Sequence, residues 1–160
     1  MAKKFKKLLL LGVMLIMALG LFACGKNAGI QFTIGDVGDF STEALDEHPT
    51  ITKLVKSVDE LQQLCDESGV IYTGEKYDES YFNEKAIIVY SFAIPSTMMS
   101  VQIDSLKVDS KTLIINTTRF VPKSGIWIDV EAYRFYVLEV NQGDIAQIEK
   151  VQISQKDKNK

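Results

Sequence analysis

Apolar and polar residues in the first part of the chain switch between strand-like and helix-like spacing. Residues 30–34 alternate apolar with polar positions and residues 51–55 form a second apolar segment, so each predicts a strand. A helix is predicted to begin after Ser57, because Ser57 and Glu60 can form a capping box in which each side chain accepts from the other residue's backbone amide. Gly69 predicts the end of this helix. Its apolar face comprises Val58, Leu61, Leu64 and Cys65.

From residue 85 onward the spacing becomes that of β-strands. Residues 86–92 are apolar except for Ser91, which is typical of a central strand covered on both faces. Further β-rich segments lie at residues 99–104, 113–121 and 132–140. Residues 141–144, Asn-Gln-Gly-Asp, predict a hairpin turn into residues 145–153, since Asn and Gly tolerate a positive φ.

This succession predicts one α+β domain at residues 30–154, built as a mostly antiparallel β-sheet or a small β-sandwich with one packed helix. A polar tether at residues 24–29 is expected before the domain, and a charged tail at residues 155–160 after it. A capped turn at residues 78–83 is expected to insert aromatic side chains into the core. The predicted core residues are Leu61, Leu64, Ile87, Val89, Ile103, Ile115, Tyr136 and Leu138.

The first 23 residues have the order of a secretion signal. Lysines at positions 3, 4, 6 and 7 precede an apolar run at residues 8–22, which is short of the ~20 residues that a membrane-spanning helix needs. The sequence Leu21-Phe22-Ala23-Cys24 resembles the bacterial lipobox. The resemblance implies cleavage after Ala23, diacylglyceryl transfer to the Cys24 sulfur and anchoring in the lipid bilayer. We therefore expect a signal peptide at residues 1–23 and a lipoprotein on the extracytoplasmic face of the cell membrane.

The charge of the chain excludes one class of partner. The sequence holds 18 basic and 21 acidic residues, for a formal net charge of -3. Without the first 23 residues, 14 basic residues remain and the net charge falls to -7. Affinity for nucleic acid comes largely from Lys and Arg side chains that displace counterions from phosphates. We therefore expect no nucleic-acid partner.

Few residues of the chain suit catalysis or metal binding. His48 is the only histidine, and Cys65 is the only cysteine besides Cys24, so no disulfide is expected within the domain. Nucleophilic catalysis needs an oriented base and zinc needs three or four ligands, so we expect no catalytic residue, no metal and no cofactor. The acids between Asp36 and Glu47 lack the spacing of a calcium loop. A carboxylate pair for glycoside hydrolysis depends on separation in space, and this possibility stays open.

Several motifs of the domain occur in a recognisable succession. A Ser-x-x-Glu-Leu helix at residues 57–61 precedes an aromatic Tyr81-Phe82 turn and a very apolar strand at residues 86–89. Strand-like segments follow at residues 101–108, 112–115 and 136–140. The succession, which covers about residues 51–141, resembles the family of the protease complex subunit PrcB, although Met98-Met99 stand where that family often has a glycine pair. The resemblance implies a compact antiparallel β domain with a packed helix and a binding role beside extracellular proteases or envelope components.

The segment after residue 120 is the candidate interaction surface. Pro122, Lys123 and Trp127 lie at or after a break in the β pattern, and aromatic side chains on loops carry much of the energy of protein interfaces. The alternative for Trp127 is burial at the end of the core. We expect a non-enzymatic protein-binding module with an envelope or extracellular protein as partner, a protease being one candidate. A small envelope enzyme that uses a carboxylate pair and a component of a small-molecule receptor are the alternatives.

Overall fold

The computed structural model describes residues 29–42, 50–96, 99–123 and 129–159. In this part of the chain, short helices separate strands that are mostly antiparallel. The strands are β1 (Thr33–Ile34), β2 (Phe40–Thr42), β3 (Ile51–Val55), β4 (Val70–Tyr72), β5 (Lys85–Ser96), β6 (Ser100–Asp109), β7 (Thr112–Val121), β8 (Asp129–Asn141) and β9 (Lys150–Asn159). The helices are α1 (Val58–Ser68), α2 (Glu79–Phe82) and α3 (Gln142–Ile145).

A four-stranded antiparallel sheet in the order β1-β8-β5-β3 forms the centre of the fold. Every side chain of β5 from Ala86 to Phe92 is buried. Successive side chains of a strand point to opposite faces, so Ile88 packs into one layer of the core and Ile87 into the other. The prediction of a central strand covered on both faces is confirmed.

A second sheet in the order β6-β7-β9 packs on one face of the first. β6 and β7 are antiparallel and turn at Ser110, which has a φ of 57°, whereas β7 and β9 are parallel. The core between the two sheets comprises Ala86, Ile88, Tyr90, Phe92, Ile94, Val101, Ile103, Leu106, Leu113, Ile115, Leu138, Val140, Ile145 and Ile148. The prediction of an α+β fold with a small, mostly antiparallel β-sandwich is confirmed.

The other face of the four-stranded sheet is covered by α1, α2 and a ribbon of β2 and β4. The core on this side comprises Phe40, Val55, Leu61, Leu64, Val70, Tyr77, Phe82, Ile87, Val89 and Val137. Of the predicted core residues, all are buried except Tyr136, which is half-buried against the core of the sandwich. The central sheet therefore separates two apolar layers.

The ends of α1 follow from the local sequence. The Ser57 hydroxyl accepts from the Glu60 amide at 3.1 Å, and Gly69 closes the helix with a φ of 66°, both as predicted. The Glu60 carboxylate accepts from the amide of Lys56 at 2.7 Å, one residue before the predicted donor. Asp78 caps α2 in the same way, so the predicted capped turn is confirmed.

The buried face of α1 is narrower than predicted. Leu61 and Leu64 are buried and Cys65 is half-buried, but Val58 is 37% exposed. Val58 is the first residue of the helix and precedes the turn that packs on the sheet, so its prediction as part of the buried face was wrong.

Burial raises the pKa of the Cys65 thiol, although a backbone hydrogen bond at Tyr72 lowers it in part.

The connection after β8 is a helical turn, so the predicted hairpin was wrong. Asn141 has a φ of -74° and Gly143 does not have a positive φ, so the backbone lacks the geometry of a tight hairpin turn. Ile145 and Ile148 are instead buried between the two sheets. Their burial carries the chain across to the second sheet, where β9 pairs with β7 and not with β8.

Strand β9 runs to Asn159, into the segment predicted as a charged tail. Its side chains there are exposed and pair with residues of β7 and β6. Arg119 of β7 donates to both carboxylate oxygens of Asp157 at 3.0 and 2.7 Å, and Lys156 Nζ lies 3.1 Å from a carboxylate oxygen of Asp104 in β6. Strand pairing needs no side-chain burial, and charged residues on an edge strand prevent edge-to-edge association. The prediction of a tail up to Asn159 was therefore wrong.

The predicted tether ends at Gly29, which already lies against β6. The Ile30 amide donates to the Leu106 carbonyl oxygen at 3.0 Å, and a Cβ on Gly29 would come within 2.7 Å of that same oxygen. The chain then crosses to the other sheet, where it forms β1. The predicted first strand is thus divided between a bridge at Ile30 and the short strand β1.

None of the helices in the described ranges is long and apolar enough to span a membrane. The predicted signal peptide at residues 1–23, with its cleavage residue Ala23, lies outside the described residues. The predicted lipidation site Cys24 lies outside them as well.

Candidate functional site

The outer edge of β8 is paired at one end only. β1 pairs with two residues of β8, and the Gly35 amide then donates to the Val137 carbonyl oxygen at 2.7 Å. Among the described residues, no strand pairs with this side of β8 from Asp129 to Tyr136. β8 is therefore bordered by β5 along its length and by β1 only near its C-terminal end.

A turn at residues 36–39 takes the chain away from that edge. The Asp36 carboxylate accepts from the Gly38 amide at 2.8 Å, and the Phe40 amide donates to the Val37 carbonyl oxygen at 3.1 Å. Asx turns of this kind change the direction of the backbone and compete with strand pairing. Phe40 opens β2, which pairs with β4 in the layer that holds α1. The place beside β8 that β1 vacates is therefore not filled by the next strand.

A cavity of about 560 Å³ lies at this edge, and we call it the end cavity. It is lined by Val37, Phe40, Phe92, Ile94, Met99, Ser100, Val101, Arg134, Phe135 and Tyr136. The lining is apolar or aromatic except for Ser100 and Arg134. Because Phe92 belongs to the core of the sandwich and Phe135 packs on the helix side, the cavity extends over both faces of the central sheet. Its volume is in the range of about 300–1,000 Å³ that is usual for binding sites.

Phe92 and Tyr136 form one wall of the end cavity and belong to an aromatic stack that also includes Tyr90. The rings of Tyr90 and Phe92 lie 4.8 Å apart at 29°, and those of Phe92 and Tyr136 lie 6.1 Å apart at 11°. The Tyr136 hydroxyl donates to the Val101 carbonyl oxygen at 2.5 Å, which connects β8 to β6. Burial raises the pKa of Tyr136, so its hydroxyl keeps the proton that it donates. This wall is therefore fixed by stacking and by a hydrogen bond between the sheets.

The two arginines of the chain line different cavities. Arg119 borders a second cavity of about 340 Å³, which shares Phe92, Ile94 and Met99 with the end cavity. The hydrogen bond from Arg119 lowers the pKa of the Asp157 carboxyl, so this ion pair is already complete. Arg134 is exposed, and it takes part in none of the ion pairs found among the described side chains. It is the one charged residue among the described residues that line the end cavity.

A separate group of polar side chains surrounds Glu139 of β8, the one buried carboxylate of the described residues. Its Oε1 accepts from the Tyr77 hydroxyl at 3.2 Å and from Lys76 Nζ, and its Oε2 lies 3.9 Å from Lys85 Nζ. We call these four residues the Glu139 cluster. Gly35 packs directly against it, since a Cβ there would come within 2.6 Å of the Tyr77 hydroxyl and 2.7 Å of Oε1.

Two lysines of the Glu139 cluster stabilise the negative charge of its carboxylate. Burial disfavours the charged carboxylate, but the hydrogen bond and charge of Lys76, with smaller effects of Tyr77 and Lys85, lower the pKa of Glu139. Burial and the nearby carboxylate raise the pKa of Tyr77 and of Tyr81. A cavity of about 270 Å³ borders the cluster, and Glu139 is the only carboxylate among the linings of the three cavities described here. These linings hold no carboxylate pair of the kind used in glycoside hydrolysis.

The predicted interaction surface lies at the same end of the sandwich as the end cavity. Pro122 and Lys123 directly follow β7, whose residue Phe120 pairs with Ser100 of the cavity lining. Lys123 is exposed and Pro122 is half-buried. Trp127 and His48 lie outside the described residues. No group of three or more His, Cys, Asp or Glu side chains that suits a metal ion occurs among the residues that are described.

Sequence reasoning did not identify Arg134 or the edge of β8. Arg134 interrupts an otherwise apolar and aromatic segment, and a charged residue at such a position was a usable signal. The edge of β8 has no signature in the sequence, because its pairing depends on the residue at which β1 ends and the chain turns away. Apolar residues such as Phe92 are equally consistent with a closed core.

The chain matches no protein-family model, no curated protein and no solved structure. The end cavity and the motifs of the sequence are therefore the features that bear on its function.

Proposed function

We propose that this protein is a bacterial lipoprotein that is anchored through Cys24 on the outer face of the cell membrane and binds a protein partner without catalysing a reaction. The lipobox-like sequence from Leu21 to Cys24, preceded by a basic and then an apolar segment, supports the anchor. Two acyl chains give stable attachment, whereas a single chain binds a membrane only marginally. An anchored domain of this kind holds its partner close to the membrane.

The observation that carries the binding role is the end cavity. It combines aromatic and aliphatic side chains with one arginine that has no described ion-pair partner. Protein interfaces are enriched in aromatic residues, Met and Arg, and a few such residues supply most of the binding energy. The cavity adjoins a strand edge and lies at the end of the sandwich that also carries Lys123. A protein surface can contact all of these features at once.

The resemblance to the PrcB family supports a more specific partner. That family implies a role beside extracellular proteases or envelope components, and the motifs that resemble it span most of the domain. We therefore propose a protease of the cell envelope, or a protein that acts with one, as the partner class.

The binding role is tested by capture from the native envelope with the full-length chain in detergent. Val37 lines the end cavity and is 38% exposed, so Val37→Asp places a charge in the cavity at little cost to folding. Val108, 45% exposed near the far end of β6, provides the control Val108→Asp. We expect the wild type and Val108→Asp to recover the same stoichiometric partner and Val37→Asp to lose it. Equal recovery by both variants, or turnover of a glycan or peptide with no partner recovered, would contradict the proposal.

The anchor is tested separately by metabolic labelling with a palmitate analogue. The wild type should incorporate the label and move to the membrane fraction, and Cys24→Ala should do neither. Equal labelling of the two chains would show that Cys24 is not the site of lipidation.

A further inference from the structure

We infer that the partner supplies an extended peptide segment that pairs with the outer edge of β8 and places a carboxylate beside Arg134. We call this the free edge, because no strand among the described residues pairs with it from Asp129 to Tyr136. This inference rests on the proposed function, because it specifies how the end cavity is filled. It is carried by three features that meet at one place: a strand edge with which no described strand pairs, an apolar cavity on both sides of that edge, and an arginine with no ion pair among the described side chains.

The backbone of β8 presents hydrogen-bonding groups at this edge. In an antiparallel strand the amide and carbonyl of one residue point to the same side, and those of the next residue to the other side. The Val137 carbonyl faces β1, because it accepts from the Gly35 amide. The amide and carbonyl groups of Phe135 and Tyr133 therefore face the same edge, where no described strand pairs with them. An added strand satisfies these groups in the place that β1 vacates.

The end cavity provides room for the side chains of such a segment. Alternate residues of a strand point to opposite faces of its sheet. On the face toward the second sheet they would meet Tyr136, Met99 and Val101, and on the helix side Val37 and Phe135. Both sets of contacts are apolar, so the segment should carry apolar side chains at most positions.

One position of the segment should instead be acidic, because it would lie opposite Arg134. Arg134 is exposed in the lining, whereas the other arginine of the chain is held by both carboxylate oxygens of Asp157. Residues opposite each other on paired strands have their Cβ atoms about 5 Å apart, within reach of an ion pair. A bidentate arginine–carboxylate pair also fixes the register of the segment. The predicted ligand is an extended segment with an Asp or Glu opposite Arg134 and an apolar residue two positions away, against Tyr136.

A display library of random linear peptides, selected on the full-length chain in detergent, tests this inference. Selected peptides should contain one acidic residue within an alternating apolar pattern. Their affinity should fall at least about tenfold in Arg134→Ala, the loss expected for a charge-assisted hydrogen bond. The control Lys107→Ala removes an exposed charge of the same sign from β6, outside the end cavity, and should leave the affinity unchanged. Peptides that bind both variants equally would overturn the inference.

Amide hydrogen exchange provides a readout of the strand pairing itself. The Phe135 amide faces the free edge and should become protected when a selected peptide binds, whereas the Tyr136 amide faces β5 and should be protected in both states. Binding without protection of Phe135 would overturn strand addition. Recovery of a folded partner in the envelope capture, with no linear peptide selected, would reject this inference and leave the proposed function standing. If neither a folded partner nor a linear peptide is recovered, both the proposed function and this inference are rejected.

Discussion

Glu139 occupies a position in β8 whose neighbours Val137, Leu138 and Val140 are all buried apolar residues. A buried carboxylate is tolerated only where opposite charges and hydrogen bonds offset its desolvation. Lys76 supplies both from the loop before α2, and Lys85 contributes charge from β5. The Glu139 cluster therefore joins the central sheet to the helix layer through charge rather than through apolar contact.

Replacing this carboxylate should destabilise the protein in a pH-dependent manner. The pKa of Glu139 is lowered in the folded state, so its contribution is complete above the unfolded pKa of about 4.3 and is lost as the pH falls through the lower folded value. Because both lysines are partly exposed, we expect Glu139→Gln to cost about 1–3 kcal/mol at neutral pH. In urea denaturation, the difference from the wild type should shrink between about pH 6 and about pH 3.

The exposed pair of Lys111 and Glu149 provides a control for that experiment. Both side chains are at least 60% exposed, so Glu149→Gln should change stability by less than about 0.5 kcal/mol at either pH. A Glu139→Gln penalty that is the same at both pH values would contradict the role of the charged carboxylate.

Glycine is required at position 35 because the backbone there lies very close to the Glu139 cluster. A methyl group at this position would lie 2.6–2.7 Å from the Tyr77 hydroxyl and the Glu139 carboxylate, so these groups must move. We expect Gly35→Ala to lower the free energy of unfolding by about 1–3 kcal/mol in urea titrations. The matched control is Gly143→Ala in α3, where a Cβ would meet nothing within 4 Å. Equal stability of the two variants would show that the Glu139 cluster adjusts without cost.

Among the elements, β9 extends through residues 155–159, a segment whose composition suggested a tail. Ending the chain after Ser154 removes the ion pairs of Asp157 and Lys156 and leaves the end of β7 without its parallel neighbour. We expect a loss of about 1–3 kcal/mol, from several cross-strand pairs of a few tenths to 1 kcal/mol each. Amides of β7 opposite the removed segment should also exchange faster with solvent. A chain that ends at Asn159 is the control and should behave as the wild type. If the β7 amides exchanged equally fast in the chains that end at Ser154 and at Asn159, residues 155–159 would be a tail, as first predicted.

Elements whose boundaries depend on near neighbours were predictable from the sequence. The cap at Ser57, the end of α1 at Gly69 and the cap at Asp78 involve contacts within a few residues. The turn after Asn141 was not predictable in this way, because its form depends on burying Ile145 between two sheets that are distant in the sequence. The free energy gained by burying Ile145 outweighs the local preference for a hairpin turn.

The candidate site was predictable only in its general position. Pro122 and Lys123 were predicted from a break in the β pattern, which marks where strands end, and they follow β7 at the same end of the sandwich as the end cavity. The end cavity depends on the Asx turn at Asp36, which directs the chain away from β8. The difference between the two arginines depends on Asp157, which pairs with Arg119. Such relations join residues far apart in the chain and have no local signal.

At the scale of the whole molecule, β5 and β8 belong to both apolar layers. Consecutive residues show this directly: Ile88 packs between the two sheets, and Ile87 packs against the helix layer, both fully buried. Neither layer can lose its packing without exposing one face of the same strands. The two layers should therefore unfold together, although their buried residues form two separate clusters.

Conservative truncation on each face of β5 tests this coupling. Ile87→Val and Ile88→Val each remove one buried methyl group, which typically costs about 0.5–1.5 kcal/mol. In native-state hydrogen exchange, amides of α1 and of β7 should report the same free energy of opening in the wild type, as expected of a two-state domain. Each variant should lower both values by the same amount, whichever face carries the substitution. If Ile87→Val lowered only the α1 value, the helix layer would be a separate unfolding unit and the central sheet would not couple the two cores.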